Sequence, residues 1–156
     1  MCKLYNVENA WMRSRLTLLV LLILFGCAAA PVKRPWKLEL VTSGGFTGRG
    51  SGAITIESSG AMHLKTASGK ECTVTATADE LKRYESLLGA AQPEKWKPSY
   101  APENRCCDRI EYDLTLTIAD KTYKTEWISA PLPMPEDLTA IGDALGATMR
   151  EHACAQ

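Results

Sequence analysis

The residues able to do chemistry are few. A chain of 156 residues holds two histidines, six cysteines and a scatter of serines and carboxylates. His63 falls on the polar side of a short alternating segment, and His152 lies near the C-terminus. Neither belongs to a His-Glu-x-x-His or comparable zinc spacing. Ser43, Ser51, Ser58, Ser59 and Ser68 sit among turn residues, and none is framed by the strand-to-helix elbow that exposes a nucleophile. Glu111 and Asp113 are two apart, which on a strand sets both on one face. Two such carboxylates are what an acid–base pair needs, but a strand with its apolar side inward produces the same pair as ordinary solvent-facing charge, the commoner meaning. The run Gly44-Gly45-Phe46-Thr47-Gly48-Arg49-Gly50 lacks the Lys-Ser/Thr end and the following helix of a phosphate cradle. These absences select no catalytic residue, metal site or cofactor. They argue against an enzyme and leave an unconventional hydrolase as a distant third reading.

The cysteines are the remaining chemistry. Cys2 and Cys27 belong to an N-terminal segment treated next, leaving Cys72, Cys106, Cys107 and Cys154. An even number in an exported domain argues for two disulfides. Zinc is the rival, but adjacent cysteines chelate one tetrahedral ion poorly and no Cys-x-x-Cys spacing is present. Four cysteines allow three pairings. A bond between the neighbours Cys106 and Cys107 is strained, so the expectation is that Cys72 and Cys154 each bond to one of that pair.

Export is read from residues 16–25, Leu-Thr-Leu-Leu-Val-Leu-Leu-Ile-Leu-Phe, preceded by Arg13 and Arg15. A basic start, an apolar run and small residues at its end make a secretory signal. The run is about half the length of a membrane-spanning helix, and it has no polar face that a buried surface helix would show to water. Met12 stands directly before the basic pair and is a candidate start of translation. Leu24-Phe25-Gly26-Cys27 resembles the bacterial lipobox, with Phe25 at a position that is usually small. The resemblance implies lipidation of Cys27 and cleavage before it, so that residues 1–26 are a signal peptide. Ordinary cleavage after Ala28 or Ala30, giving a soluble secreted protein, is the alternative. Two or three acyl chains suffice for stable anchoring. Residues 27–35 read as a tether. Ala28 after the lipid cysteine implies, by the same resemblance, the periplasmic face of the outer membrane if the cell is Gram-negative. Removing the signal leaves 15 basic and 17 acidic residues, a net charge of minus two. Nothing in that balance attracts nucleic acid or an anionic lipid surface.

The elements that must position these groups follow from periodicity. Residues 36–41, 53–57, 62–65 and 72–77 alternate apolar and polar side chains, and turns containing Gly or Ser-Gly separate them. Five glycines between Thr42 and Gly52 make a loop or wide hairpin. Thr77-Ala-Asp-Glu80 is a capping box, with Leu81, Tyr84, Leu87, Leu88 and Ala91 at helical spacing after it. Residues 92–108 are irregular, with Trp96 as the anchor. Residues 110–118 alternate again, and Asp120-Lys121 turns them into a partner strand holding Tyr123, Thr125 and Trp127. Pro135, in the first turn, then opens a helix whose Leu138, Ile141, Leu145 and Met149 share a face. The expected fold is α+β: an antiparallel sheet of about six strands, a meander plus a hairpin, with two helices packed on one face. Residues 36–156 form the single domain.

Ser43-Gly44-Gly45-Phe46-Thr47-Gly48 closes the first strand, and Asp108-Arg-Ile-Glu-Tyr112 opens a later one. A strand ending in Ser-Gly-Gly-Phe-x-Gly, then a helix, then Asp-x-hydrophobic-x-Tyr and a final helix resembles emfourin-type proteins, small inhibitors of thermolysin-like zinc metallopeptidases. The chain departs from that pattern in its lipoprotein signal, its four domain cysteines and an added strand region between Ser58 and Cys72. The resemblance implies a non-enzymatic domain, anchored to the membrane through lipid on Cys27, that docks into a peptidase cleft. Gly44, Gly45, Phe46, Thr47 and Gly48 would form the docking loop, with Phe46 as a buried aromatic anchor. The competing expectations are that Phe46 is a core side chain and the glycines only turn the chain, and that the protein is a structural envelope lipoprotein supporting an assembly.

Overall fold

A computed structural model describes residues 34–102, 108–152 and 154, and Arg34–Gln156 clusters as a unit of its own. Four strands come first: β1 (Trp36–Gly44), β2 (Gly52–Glu57), β3 (Ala61–Thr66) and β4 (Glu71–Thr75). Helix α1 (Ala78–Ala90), a 3-10 turn at Pro93–Lys95 and the two-residue strand β5 (Ser99–Tyr100) follow. The hairpin β6 (Ile110–Ile118) and β7 (Lys121–Ile128) leads into α2 (Glu136–Glu151). The fold is α+β, with a mostly antiparallel sheet in the order β4-β3-β2-β1-β6-β7-β5.

The strand count exceeds the expected six by β5, which pairs parallel to β7 through Ser99–Glu126 and Tyr100–Trp127. No period announces a strand of two residues; the neighbouring β7 edge supplies it. β1 also runs three residues past the alternating segment, because β6 pairs with it as far as Gly44 opposite Ile110. Pro135 is the residue before the first turn of α2 rather than inside it.

Alternation places Leu38, Leu40, Ile54, Ile56, Met62, Leu64, Leu114 and Leu116 in one core with Tyr84, Leu138, Ile141 and Leu145. Each such side chain, fully buried, contributes roughly 1.5–3 kcal/mol. Polar atoms inside are matched. The Tyr84 hydroxyl meets Thr148 Oγ1 at 2.7 Å, and the Tyr84 ring lies 6.3 Å from that of Trp36. Tyr112 and Trp127 stack with centroids 5.1 Å apart.

The start of α1 is fixed as the capping pattern requires. Thr77 accepts from the amide of Glu80, whose carboxylate accepts from the Thr77 amide at 2.7 Å. The same carboxylate pairs with His152, which is half-buried at the end of α2 and so joins the two helices. Trp96 anchors the segment after α1 as expected. Its indole N–H donates to Asp137 at 3.1 Å, and the Gln92 amide donates to the same oxygen at 2.8 Å.

Glu80 and Asp137 both have lowered pKa values. Burial pushes each upward, but for Glu80 the Thr77 amide, His152 and the Thr77 hydroxyl outweigh it. For Asp137 the Gln92 amide, the Trp96 indole and the first amides of α2 do so. A folded-state value below the unfolded one means that folding favours the ionised carboxylate. That stabilisation is present above the ordinary carboxylate range and is lost as pH falls through the folded values. The urea midpoint is therefore expected to hold near neutrality and to drop below about pH 4.5. Asp137→Ala should cost about 1–3 kcal/mol at pH 7 by leaving the Trp96 N–H without its acceptor, and should make the acid limb of the urea curve shallower.

The cysteine pairing differs from the expectation. Cys72 bonds to Cys154 directly, with Cα atoms 5.8 Å apart. Cys72 lies on β4 opposite Leu64, and the Cys154 sulfur sits 3.9 Å from the Leu64 carbonyl oxygen. The turn after α2 therefore returns the chain to the β3–β4 edge, a closure that no sequence spacing reveals. Cys106 and Cys107 lie outside the described residues, as does Cys27.

Candidate functional site: a phenylalanine-tipped glycine loop

The segment between β1 and β2 is held by its backbone. Gly45 N–H donates to the Arg109 carbonyl at 2.8 Å, Gly48 N–H to Gly45 at 2.9 Å, and Gly50 N–H to Gly44 at 2.9 Å. The Gly48–Gly45 bond closes a four-residue turn with Phe46 and Thr47 at its tip. Gly44 takes φ +75°, and a Cβ there would lie 2.4 Å from the Arg109 carbonyl oxygen. Gly52 takes φ +117°, and a Cβ there would lie 2.0 Å from the Lys65 carbonyl oxygen. At these two positions only glycine allows the strands to approach so closely.

Thr42 locks the base of the loop. It is buried, and its hydroxyl accepts from the Ser51 amide at 2.7 Å and the Gly52 amide at 2.8 Å while donating to the Gly52 carbonyl at 2.7 Å. Thr42→Val keeps the shape but removes all three bonds and leaves two amides without this acceptor. The expected loss is about 1–3 kcal/mol in urea unfolding, with Thr42→Ser close to wild type.

On this frame Phe46 is 93% exposed, so the core alternative for its ring does not hold. Thr47 and Gly48 are exposed with it, and Gly44 and Gly45 are half-buried beneath the tip. Val41, 39% exposed on β1, is the other large hydrophobic side chain at the surface among the described residues. No protein-family model matches the chain, and neither the curated proteins nor the solved structures contain a match to it.

The other chemistry-bearing residues do not converge. Glu111 is exposed and accepts from Ser43 Oγ at 3.3 Å. Asp113 lies opposite Glu126 on β7 and Val41 on β1. Burial first, then the charges of Glu126 and Glu111, raise the Asp113 pKa. Its contribution to stability has the opposite sign to that of Asp137 and weakens as pH rises through its folded value. His63 Nδ1 is 3.0 Å from Thr73 Oγ1, three strands from Asp113 across the sheet. Among the described residues no group of three His, Cys, Asp or Glu side chains could hold a metal ion.

Sequence reasoning selected the loop but not what holds it. The Arg109 carbonyl acts there because β6 pairs beside β1, and Thr42 because Ser51 and Gly52 return past it; neither contact leaves a local pattern. The one available signal for Thr42 is a small hydroxyl at an inward-facing strand position, directly before the glycines.

Proposed function

We propose that this is a lipid-anchored, non-enzymatic binding domain that inhibits a thermolysin-like zinc metallopeptidase through the Phe46 loop. The observation that supports this reading most is a large apolar ring held almost wholly in water at the tip of a turn tied down by three backbone hydrogen bonds. An exposed Phe contributes nothing to its own fold, and a preformed loop loses little conformational freedom on docking. Cys27 would carry the lipid, residues 27–35 the tether, and both helices would cover the one apolar face of the sheet, leaving the loop free at the sheet's end.

The chemistry of inhibition follows from the loop. Phe46 would enter the pocket that such peptidases keep for a bulky apolar residue just after the scissile bond. The Gly45–Phe46 peptide bond is folded into a turn by the Gly48–Gly45 hydrogen bond. It is therefore not laid out as an extended substrate strand, and the loop would fill the cleft without being cut. Titrating thermolysin with the purified domain, using a peptide substrate as reporter, tests the reading. Dose-dependent loss of hydrolysis with the Gly45–Phe46 bond intact supports it. Full activity at saturating domain rejects it and leaves a structural envelope lipoprotein.

A further inference from the structure

A second candidate site, independent of the Phe46 reading, lies where α2 passes the open end of the β6–β7 hairpin. An open cleft of about 310 Å³ runs there between Tyr112 and Trp127 on the sheet and Gly142, Asp143, Gly146 and Arg150 on α2. We propose that it binds a free α-amino acid with an apolar side chain. The carboxylate sits between the Trp127 indole N–H and the Arg150 guanidinium, and the ammonium sits on Asp143.

Two hydrogen-bond donors in the cleft are unspent. Trp127 is 7% exposed and stacked on Tyr112. An indole N–H so deep usually has an acceptor. This one makes no hydrogen bond to the described residues, and no fully enclosed side-chain nitrogen among them lacks a partner, so the N–H reaches open space. The ring edge of Cη2, Cζ2 and Cε2 faces Gly142. Nε1 is bonded to Cε2, so its N–H opens along α2 into the cleft that Trp127 lines. The other donor is Arg150. Glycine inside a helix is destabilising relative to alanine. Packing accounts for Gly142, where a Cβ would stand 3.0 Å from Trp127 Cζ2. It does not account for Gly146, where a Cβ would meet only Arg150 Nη1, at 3.6 Å, the end of a flexible side chain. What Gly146 leaves is room, with the Arg150 guanidinium folded back over it.

The charges select the ligand. Asp143 and Arg150 are the two charged residues of the lining, both exposed, and neither is paired with a described residue. A simple anion would be attracted by one and repelled by the other, and a simple cation likewise; a zwitterion satisfies both. Spacing agrees. Gly142 and Gly146 are one helical turn apart, roughly 5–6 Å, with the Trp127 edge at the first and Arg150 Nη1 at the second. One carboxylate, accepting at about 2.8 Å on each side, bridges that gap. Asp143 follows Gly142 and lies three residues before Gly146, so it borders the same spot. Tyr112 and Met134 supply apolar wall for the side chain. The volume is at the small end of ligand pockets, which suits a single amino acid.

The Trp127 N–H is itself the probe. The full chain, isotope-labelled at the indole nitrogens of its four tryptophans, gives nitrogen–proton cross-peaks, and Trp127→Phe assigns one of them by its loss. Adding L-leucine should shift the Trp127 peak saturably and leave those of Trp36 and Trp96 in place. N-acetyl-leucine has no ammonium and leucinamide has no carboxylate, so each should bind at least about 10-fold more weakly. Arg150→Gln and Asp143→Asn should weaken leucine binding by a similar factor and melt with the wild type, since neither side chain holds another part of the domain. A Trp127 peak unmoved up to the solubility limit of leucine would overturn the proposal. So would N-acetyl-leucine binding as tightly as leucine, or wild-type affinity in Arg150→Gln.

Discussion

Replacing Phe46 with alanine is expected to raise the inhibition constant against thermolysin by about 30- to 1000-fold, the loss of about 2–4 kcal/mol typical of a central aromatic anchor. Thermal stability should stay within about 0.5 kcal/mol of wild type, as for surface substitutions away from special features. The separation of the two effects rests on one fact. The ring is 93% exposed, so nothing in the domain's own core depends on it. Phe46→Leu should recover part of the binding, since it keeps apolar volume but loses the flat ring. Inhibition constants and melting curves on the same three proteins decide the matter. Equal inhibition by all three would remove the Phe46 mechanism. A large fall in melting temperature for Phe46→Ala would contradict the exposed position of the ring.

Removing the Cys72–Cys154 bond should have the largest effect on stability. The two cysteines are 82 residues apart in the chain, and a cross-link closing a loop of that size restricts the unfolded state by about 4–5 kcal/mol in the chain-entropy account. The double variant Cys72→Ser/Cys154→Ser is expected to melt about 10–25 °C lower than wild type. The loss should be concentrated where the bond acts. β4 is an edge strand, paired on one side to β3, and the C-terminal turn beyond α2 meets the sheet through Cys154 beside Leu64. Amide exchange should therefore rise first in β4 and in the last turn of α2. Mass mapping of the unreduced protein checks the pairing itself: a peptide joining residues 72 and 154 is expected. A link from either residue to Cys106 or Cys107 would contradict it.

Much of the fold is readable from local pattern. The four alternating segments before the helix became β1 to β4, because a strand buried on one face must repeat every second residue. Thr77 and Glu80 marked the start of α1 because a helix leaves free amides that those side chains satisfy. Trp96 stood out as a large apolar side chain in an irregular stretch, and it does pack against the core and bond to Asp137. The loop within Thr42–Gly52 was also plain, since five glycines in eleven residues have few other uses.

What was not readable depended on contacts between distant residues. β5 exists because the β7 edge accepts two residues, and Thr42 is a lock only because Ser51 and Gly52 return past it. Cysteine spacing limits pairing by strain between neighbours but does not say which strand the C-terminal turn will meet. The elimination that sent Cys72 and Cys154 to the adjacent pair therefore failed. Phe46 shows the same division. A phenylalanine among glycines is equally a core residue and a surface tip in sequence, because burial is a property of what surrounds a side chain.

Composition, periodicity and capping by themselves determined an α+β domain, the order of its elements and the absence of any recognised catalytic pattern. All of these are local, encoded within a few residues by steric and hydrogen-bonding rules. Only the tertiary structure decided that β1 and β6 run together, that Cys72 reaches Cys154, and that the Phe46 ring stands in water. Each of those requires segments tens of residues apart to meet, and the free energy that selects such meetings is a property of the whole packed core.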